Sequence, residues 1–211
     1  MTHFESIEEI KNIRNLMERS TRYMTLSGMA SILAGIYALI GATAAYFLVY
    51  RQNFKYDTDF QPLDKYPFDP RLVIISIALI VLILAISTAV ILTRRKAIKS
   101  GSSLWNRQAK RVIYQFSIPL ITGGLFCMLL IWHNNIAMVA SACLVFYGLA
   151  MLNASKFTFN ETHQFGLSQI ILGIFAGIFL KYGIIFWTLG FGICHIIFGI
   201  FIYRKYEKAE K

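Results

Sequence analysis

Charged residues are scarce in this 211-residue sequence, and none lies inside its long apolar runs. Asp, Glu, Lys and Arg make up 15% of the chain, whereas hydrophobic residues make up 56%. The mean hydropathy is +0.56, which is high for a water-facing domain. Charge-free runs occupy 24–50, 72–93, 112–132, 136–152, 166–180 and 182–203. A helix needs about 20 apolar residues to cross a bilayer. The sequence therefore predicts an all-α, polytopic transmembrane helix bundle (24–203) with six spans, and leaves no room for a soluble catalytic domain.

The lack of ionisable groups in these runs argues against several classes of function. Ion-coupled transporters keep a charged side chain within the membrane, and here no run contains Asp, Glu, Lys or Arg. The four histidines are scattered and form no His-Glu-x-x-His metal motif. No serine has the setting of a nucleophile elbow. We therefore expect no enzymatic activity, no metal and no cofactor.

Cysteine is also rare, and its placement excludes an exported disulfide framework. Cys127, Cys143 and Cys194 all lie within apolar runs rather than in loops. They are interpreted as small buried hydrophobic residues.

Positive charge is plentiful at the chain ends and between the runs, and the formal net charge is +10. An acid-free segment between the second and third runs carries seven bases: Arg94, Arg95, Lys96, Lys99, Arg107, Lys110 and Arg111. Alternate segments hold 16 bases on one side and 5 on the other. The positive-inside rule then places both termini, including the basic tail 204–211, in the cytoplasm. We expect the seven bases to contact anionic lipid at the inner face, and no nucleic acid, because no recognition motif accompanies them.

The segment 1–23 that precedes the first run has the pattern of an amphipathic helix. Ser6 to Glu9 form a capping box, and Ile7, Ile10, Ile13 and Met17 follow at helical spacing. This cytoplasmic helix would lie on the inner membrane surface or pair with a helix of a partner protein.

Small residues at intervals of three, four and seven predict close helix packing in three runs. Helices in lipid associate through such residues because apolar burial provides no driving force there. The candidate packing positions are Gly28, Ser31, Gly35, Ala38, Gly173, Gly177, Gly192 and Gly199. The Gly173–Gly177 pair also fits the seam of a homodimer.

A single histidine, His195, lies within an apolar run and defines a candidate intramembrane polar site. Its ring needs a hydrogen-bond partner if it is buried, and Gln169, Ser168 and Tyr37 are the candidates. Two interpretations remain: a hydrogen-bonded packing histidine, or a ligand-binding or proton-sensing residue.

The stretch from Glu18 to Ala30, continuing through Ala34 to Tyr37, resembles the opening of a group of uncharacterised bacterial multi-pass membrane proteins with six helices. The resemblance implies a location in the bacterial inner (cytoplasmic) membrane. It implies no activity, because none is assigned to that group.

Two functions follow as hypotheses. The first is a non-enzymatic sensor or accessory module that engages lipid or a cytoplasmic partner. The second is a small transporter or pore for a neutral or apolar solute. A cavity between spans one, five and six would favour the second, whereas a sealed bundle with an exposed inner groove would favour the first.

Overall fold

The computed structural model describes residues 27–49, 69–99 and 107–208. These ranges are helical throughout apart from short connections, and no strand occurs within them. The prediction of an all-helical fold is confirmed for this part of the chain. The predicted amphipathic helix within 1–23 lies outside the described residues.

Six helical stretches follow one another along the chain. Their bounds are α1 Gly28–Leu48, α2 Pro70–Lys99, α3 Arg107–Trp132, α4 Val139–Ser155, α5 Glu161–Ile178 and α6 Leu180–Glu207. A 3-10 turn, Ile136–Met138, leads into α4. The last stretch begins with a 3-10 turn and contains two π-helical segments, Thr188–Cys194 and Tyr203–Glu207.

Several of these helices could cross a membrane, which is consistent with an integral membrane protein. Five are long and apolar enough: α1, most of α2, α3, α4 with its 3-10 turn, and α6. The 18-residue helix α5 is not among them, because its first turn carries Glu161, His163 and Gln164.

The surface of α2 is suited to lipid. It contains the most apolar window of the five, and no residue of that window is buried. Leu79, Ile80 and Ile83 are among its exposed residues. Soluble proteins rarely expose so large an apolar surface, whereas hydrocarbon accommodates it without cost. Within the described ranges, the main contact of α2 is with α1.

Glycines bring α1 and α6 into close antiparallel contact. A Cβ atom on Gly28 would lie 2.6 Å from the carbonyl oxygen of Gly199, and one on Gly35 would lie 2.7 Å from that of Gly192. Both helices therefore carry contacting glycines seven residues apart. Between these two crossings, the Ser31 hydroxyl donates to the carbonyl of His195 at 2.9 Å.

A second antiparallel pair, α4 and α5, has the same seven-residue spacing. A Cβ atom on Gly148 would lie 2.7 Å from the carbonyl oxygen of Gly166. Seven residues away on each helix, the Ser141 hydroxyl donates to the carbonyl of Gly173 at 2.7 Å. Because α3 packs on α4 and α5 contacts α6, each helix contacts the next in the order α2, α1, α6, α5, α4, α3, and α4 also contacts α6 directly.

Polar contacts join helix ends on one side of the bundle. Glu207 Oε1, at the end of α6, accepts from the backbone N–H of Gly28 at 2.7 Å and from Lys96 Nζ at 3.2 Å. Glu161, at the start of α5, accepts from Lys205 and from the Tyr206 hydroxyl. The start of α1, the end of α2, the start of α5 and the end of α6 therefore lie together.

Candidate functional site

The His195 ring lies in a buried hydrogen-bonded network between α4, α5 and α6. Its Nε2 is 2.8 Å from the Tyr147 hydroxyl, and its Nδ1 is 3.1 Å from the carbonyl oxygen of Gly190. A carbonyl only accepts, so Nδ1 carries the proton and Nε2 accepts from Tyr147. Both ring nitrogens of a neutral imidazole are thereby satisfied.

Aromatic rings surround this imidazole. Those of Tyr147, Phe165 and Phe191 lie with their centroids 5.2, 4.8 and 5.8 Å from the His195 ring. His195 is 6% exposed. The network is thus enclosed by apolar surface, which strengthens its hydrogen bonds by excluding water.

Among the described residues, the His195 ring is hydrogen-bonded to Tyr147 and Gly190 rather than to the three expected partners, of which Gln169 shares the Gly190 acceptor. Gln169 Nε2 donates to the same Gly190 carbonyl at 3.0 Å. Ser168 instead donates to the carbonyl of Phe165 in its own helix at 2.7 Å. The Tyr37 hydroxyl lies 3.3 Å from that of Thr88, across the contact between α1 and α2.

Tyr147 is the partner that the sequence analysis missed. It lies in the middle of α4 in an apolar run, where spacing alone does not say which helix it faces. Its hydroxyl could have marked it as a candidate partner of His195, since a buried tyrosine usually finds a hydrogen-bond partner.

Gln169 Oε1 is the one buried side-chain polar atom without a hydrogen-bond partner in the described ranges. This oxygen is packed against Gly190. A Cβ atom on Gly190 would lie 2.6 Å from Gln169 Oε1 and 2.3 Å from Leu144 Cδ2. No space for a ligand remains at this contact, because Gln169 and Leu144 pack tightly against Gly190.

A separate cavity of about 250 Å³ lies at the opposite end of α6 from Glu207. Helices α1, α2, α3, α4 and α6 all line it, mainly with alkyl side chains such as Ile75, Ala78, Ile131, Ala140 and Ile184. The exceptions are Arg71 in the first turn of α2, Trp187, and the thiols of Cys127 and Cys143. The transporter hypothesis placed a cavity between spans one, five and six, whereas no residue of α5 lines this one and Leu180 alone represents the predicted run 166–180.

An open groove of about 270 Å³ runs between α5 and α6 at the Glu207 end. Phe165, Ser168, Cys194 and Phe198 line it, and Glu161 lies at its edge. Partial burial of Glu161 opposes its ionisation, but the hydrogen bonds from Lys205, from the backbone and from Tyr206 outweigh that effect and lower the pKa of its carboxyl below its usual value.

The bases that were expected to contact lipid lie at the end of α2 and the start of α3. Six of the seven are exposed, namely Arg94, Arg95, Lys99, Arg107, Lys110 and Arg111. Lys96 is half-buried and bonded to Glu207. The group therefore combines six exposed bases with one ion pair, between Lys96 and Glu207.

Within the described part of the chain, no three His, Cys, Asp or Glu side chains converge. The three cysteines are free thiols. No protein-family model, curated protein or solved structure matches this chain.

Proposed function

We propose that this protein is a non-enzymatic membrane module that binds an apolar, lipid-class ligand. The observation that carries the proposal is the apolar cavity formed by α1, α2, α3, α4 and α6. With it we propose six spans, a bacterial inner membrane, cytoplasmic termini, and contact of the exposed bases with anionic lipid at the inner face.

The chemistry of the cavity lining supports an apolar ligand. A bound water needs two to four polar partners, and a lining of alkyl side chains offers few. An apolar molecule that enters from the bilayer exchanges one hydrocarbon environment for another, so its recognition depends on shape and on a few polar groups. Arg71 places a guanidinium in the lining, whose several N–H donors suit a carbonyl-bearing head.

A small transporter for a neutral or apolar solute is the second candidate. The cavity and the α5–α6 groove lie at opposite ends of α6. Between them lie the π-helical segment Thr188–Cys194 and the network of His195. Such π segments often occur at functional sites, and this one is placed where a gate between the two openings would lie.

Filling the cavity tests the first proposal. We expect the double variant Ala78→Phe/Ala140→Phe to lose most of the phospholipid or isoprenoid lipid that co-purifies with the wild type, as measured by native mass spectrometry. The matched control is Ile83→Phe, which adds a ring to α2 at a side chain that is 61% exposed and does not line the cavity.

Equal lipid retention by the filled variant and the control would refute the cavity as the binding site. Transport is tested separately in proteoliposomes with a neutral apolar dye. If the wild type shows a protein-dependent flux and the filled variant abolishes it, the protein is a transporter rather than a binding module.

A further inference from the structure

We propose that Cys127 and Cys143 form a redox-active dithiol that a membrane-soluble quinone oxidises from within the apolar cavity. This inference rests on the proposed function, because it names the chemical class of the cavity ligand. It assigns a chemical role to two residues that the sequence alone presents as packing residues.

The first observation is the contact between the two thiols. Cys127 is on α3 and Cys143 is on α4, and their Sγ atoms are 3.6 Å apart. A disulfide needs an S–S distance of about 2 Å, so the sulfur atoms must approach by roughly 1.6 Å. Side-chain rotation can provide most of that movement between two half-buried cysteines on neighbouring helices.

The local fold holds the two cysteines opposite each other. Helices α3 and α4 form an antiparallel hairpin whose turn includes Asn134 at φ 61°, a left-handed conformation that asparagine tolerates. One turn from the cysteines, a Cβ atom on Gly123 would lie 2.3 Å from the Cβ of Phe146. This close approach sets the register in which Cys127 faces Cys143.

The second observation is that both thiols line the cavity. An oxidant that reaches them there must be soluble in hydrocarbon and able to accept two electrons. A quinone meets both requirements, because its isoprenoid or alkyl tail partitions into lipid and its flat ring fits between alkyl and aromatic side chains. Trp187 supplies an aromatic surface in the same lining.

The reaction balances with the quinone as the sole co-reactant. Two S–H bonds break and one S–S bond forms between Cys127 and Cys143. The two electrons and two protons pass to the carbonyl oxygens of the quinone, which leaves as the quinol. The disulfide closes a loop between residues 16 apart in sequence, so it ties α3 to α4 beyond their existing turn.

Cys194 provides an internal control within the same chain. It lines the α5–α6 groove and not the cavity, and it has no thiol partner among the described residues. Oxidation through the cavity should therefore leave it as a free thiol.

The experiment uses the full chain, reduced and incorporated without oxygen into phospholipid nanodiscs, with a short-tailed ubiquinone analogue as the probe. We expect a Cys127–Cys143 linked peptide in mass spectra, one quinol formed per chain by ultraviolet absorbance, and full maleimide labelling of Cys194. Cys127→Ser and Cys143→Ser should each abolish quinol formation, whereas Cys194→Ser should not change it.

The filled variant Ala78→Phe/Ala140→Phe should slow this oxidation by roughly tenfold or more, and Ile83→Phe should leave it unchanged. Lipid retention by wild-type protein with no Cys127–Cys143 linkage would overturn this inference and leave the proposed function intact. If the filled variant keeps its lipid and is oxidised at the wild-type rate, both proposals fail. If it loses its lipid but is oxidised at the wild-type rate, the quinone does not act from the cavity and this inference alone fails.

Discussion

At the scale of single residues, the hydrogen bond between Tyr147 and His195 joins α4 to α6 inside the bundle. The hydroxyl donates to Nε2 at 2.8 Å, and the His195 side chain is buried. Removing one partner of a buried pair leaves the other unsatisfied at a cost of about 1–3 kcal/mol, whereas replacing both by apolar groups can be nearly neutral.

We therefore predict strong coupling in a double-mutant cycle. Tyr147→Phe and His195→Leu should each lower the free energy of unfolding in detergent by about 1–3 kcal/mol. The double variant should lose clearly less than the sum of the two. His195→Gln should be milder than His195→Leu, because an amide can donate to the Gly190 carbonyl and accept from Tyr147.

Additive losses in the cycle would show that the two side chains are not bonded in the folded protein. Solute flux in proteoliposomes is the second readout. If both His195 variants keep their stability but abolish a flux that the wild type shows, the histidine acts in transport rather than in packing.

At the scale of helices, the close contact between α1 and α6 depends on glycines, which have no Cβ atom. A Cβ atom on Gly35 would lie 2.6 Å from Ile196 Cγ1 and 2.7 Å from the Gly192 carbonyl oxygen. Backbone cannot move aside as a side-chain end can, so a methyl group there must separate the helices. A Cβ atom on Gly124 in α3, by contrast, would meet nothing within 4 Å.

This contrast gives a matched pair of substitutions. Gly35→Ala should lower the free energy of unfolding by about 1–3 kcal/mol through overpacking. Gly124→Ala should be neutral or slightly stabilising, because alanine is the better helix former by about 1 kcal/mol. The measurement is thermal or denaturant unfolding in the same detergent. Equal effects of the two substitutions would mean that α1 and α6 are not in close contact at Gly35.

The sequence could predict much at this scale, and its limits have a physical cause. Hydropathy indicates helices because each must satisfy its own backbone hydrogen bonds in lipid, and the small-residue positions Gly28, Gly35, Gly192 and Gly199 follow from spacing. The partner of each helix does not follow, because a run such as that of α4 is apolar on all sides. For the same reason, the bond of Tyr147 to His195 and the contact of Cys127 with Cys143 could not be predicted from the sequence. Both depend on how the helices pack.

At the scale of the whole molecule, the contacts between helix ends and the distribution of bases lead to the same arrangement. Glu207 joins the start of α1 and the end of α2 to the end of α6, and Glu161 joins the start of α5 to it. In the proposed six-span arrangement, the segments on this side hold 16 of the 21 Lys and Arg residues. Positive-inside bias makes this the cytoplasmic side in our proposal.

Thiol labelling tests that orientation in a background from which Cys127, Cys143 and Cys194 have been removed. We expect a single cysteine at Asn160, one residue before α5, or at Ser102 to resist a membrane-impermeant maleimide in intact cells and to react once the cells are permeabilised. A cysteine at Asp59 should react in intact cells. The reason is that an even number of crossings returns the chain to its starting side, so Asn160 and Ser102 share a side that Asp59 does not. Labelling of Ser102 from outside would reverse the orientation, and labelling of Asn160 and Ser102 on different sides would contradict the six-span arrangement itself.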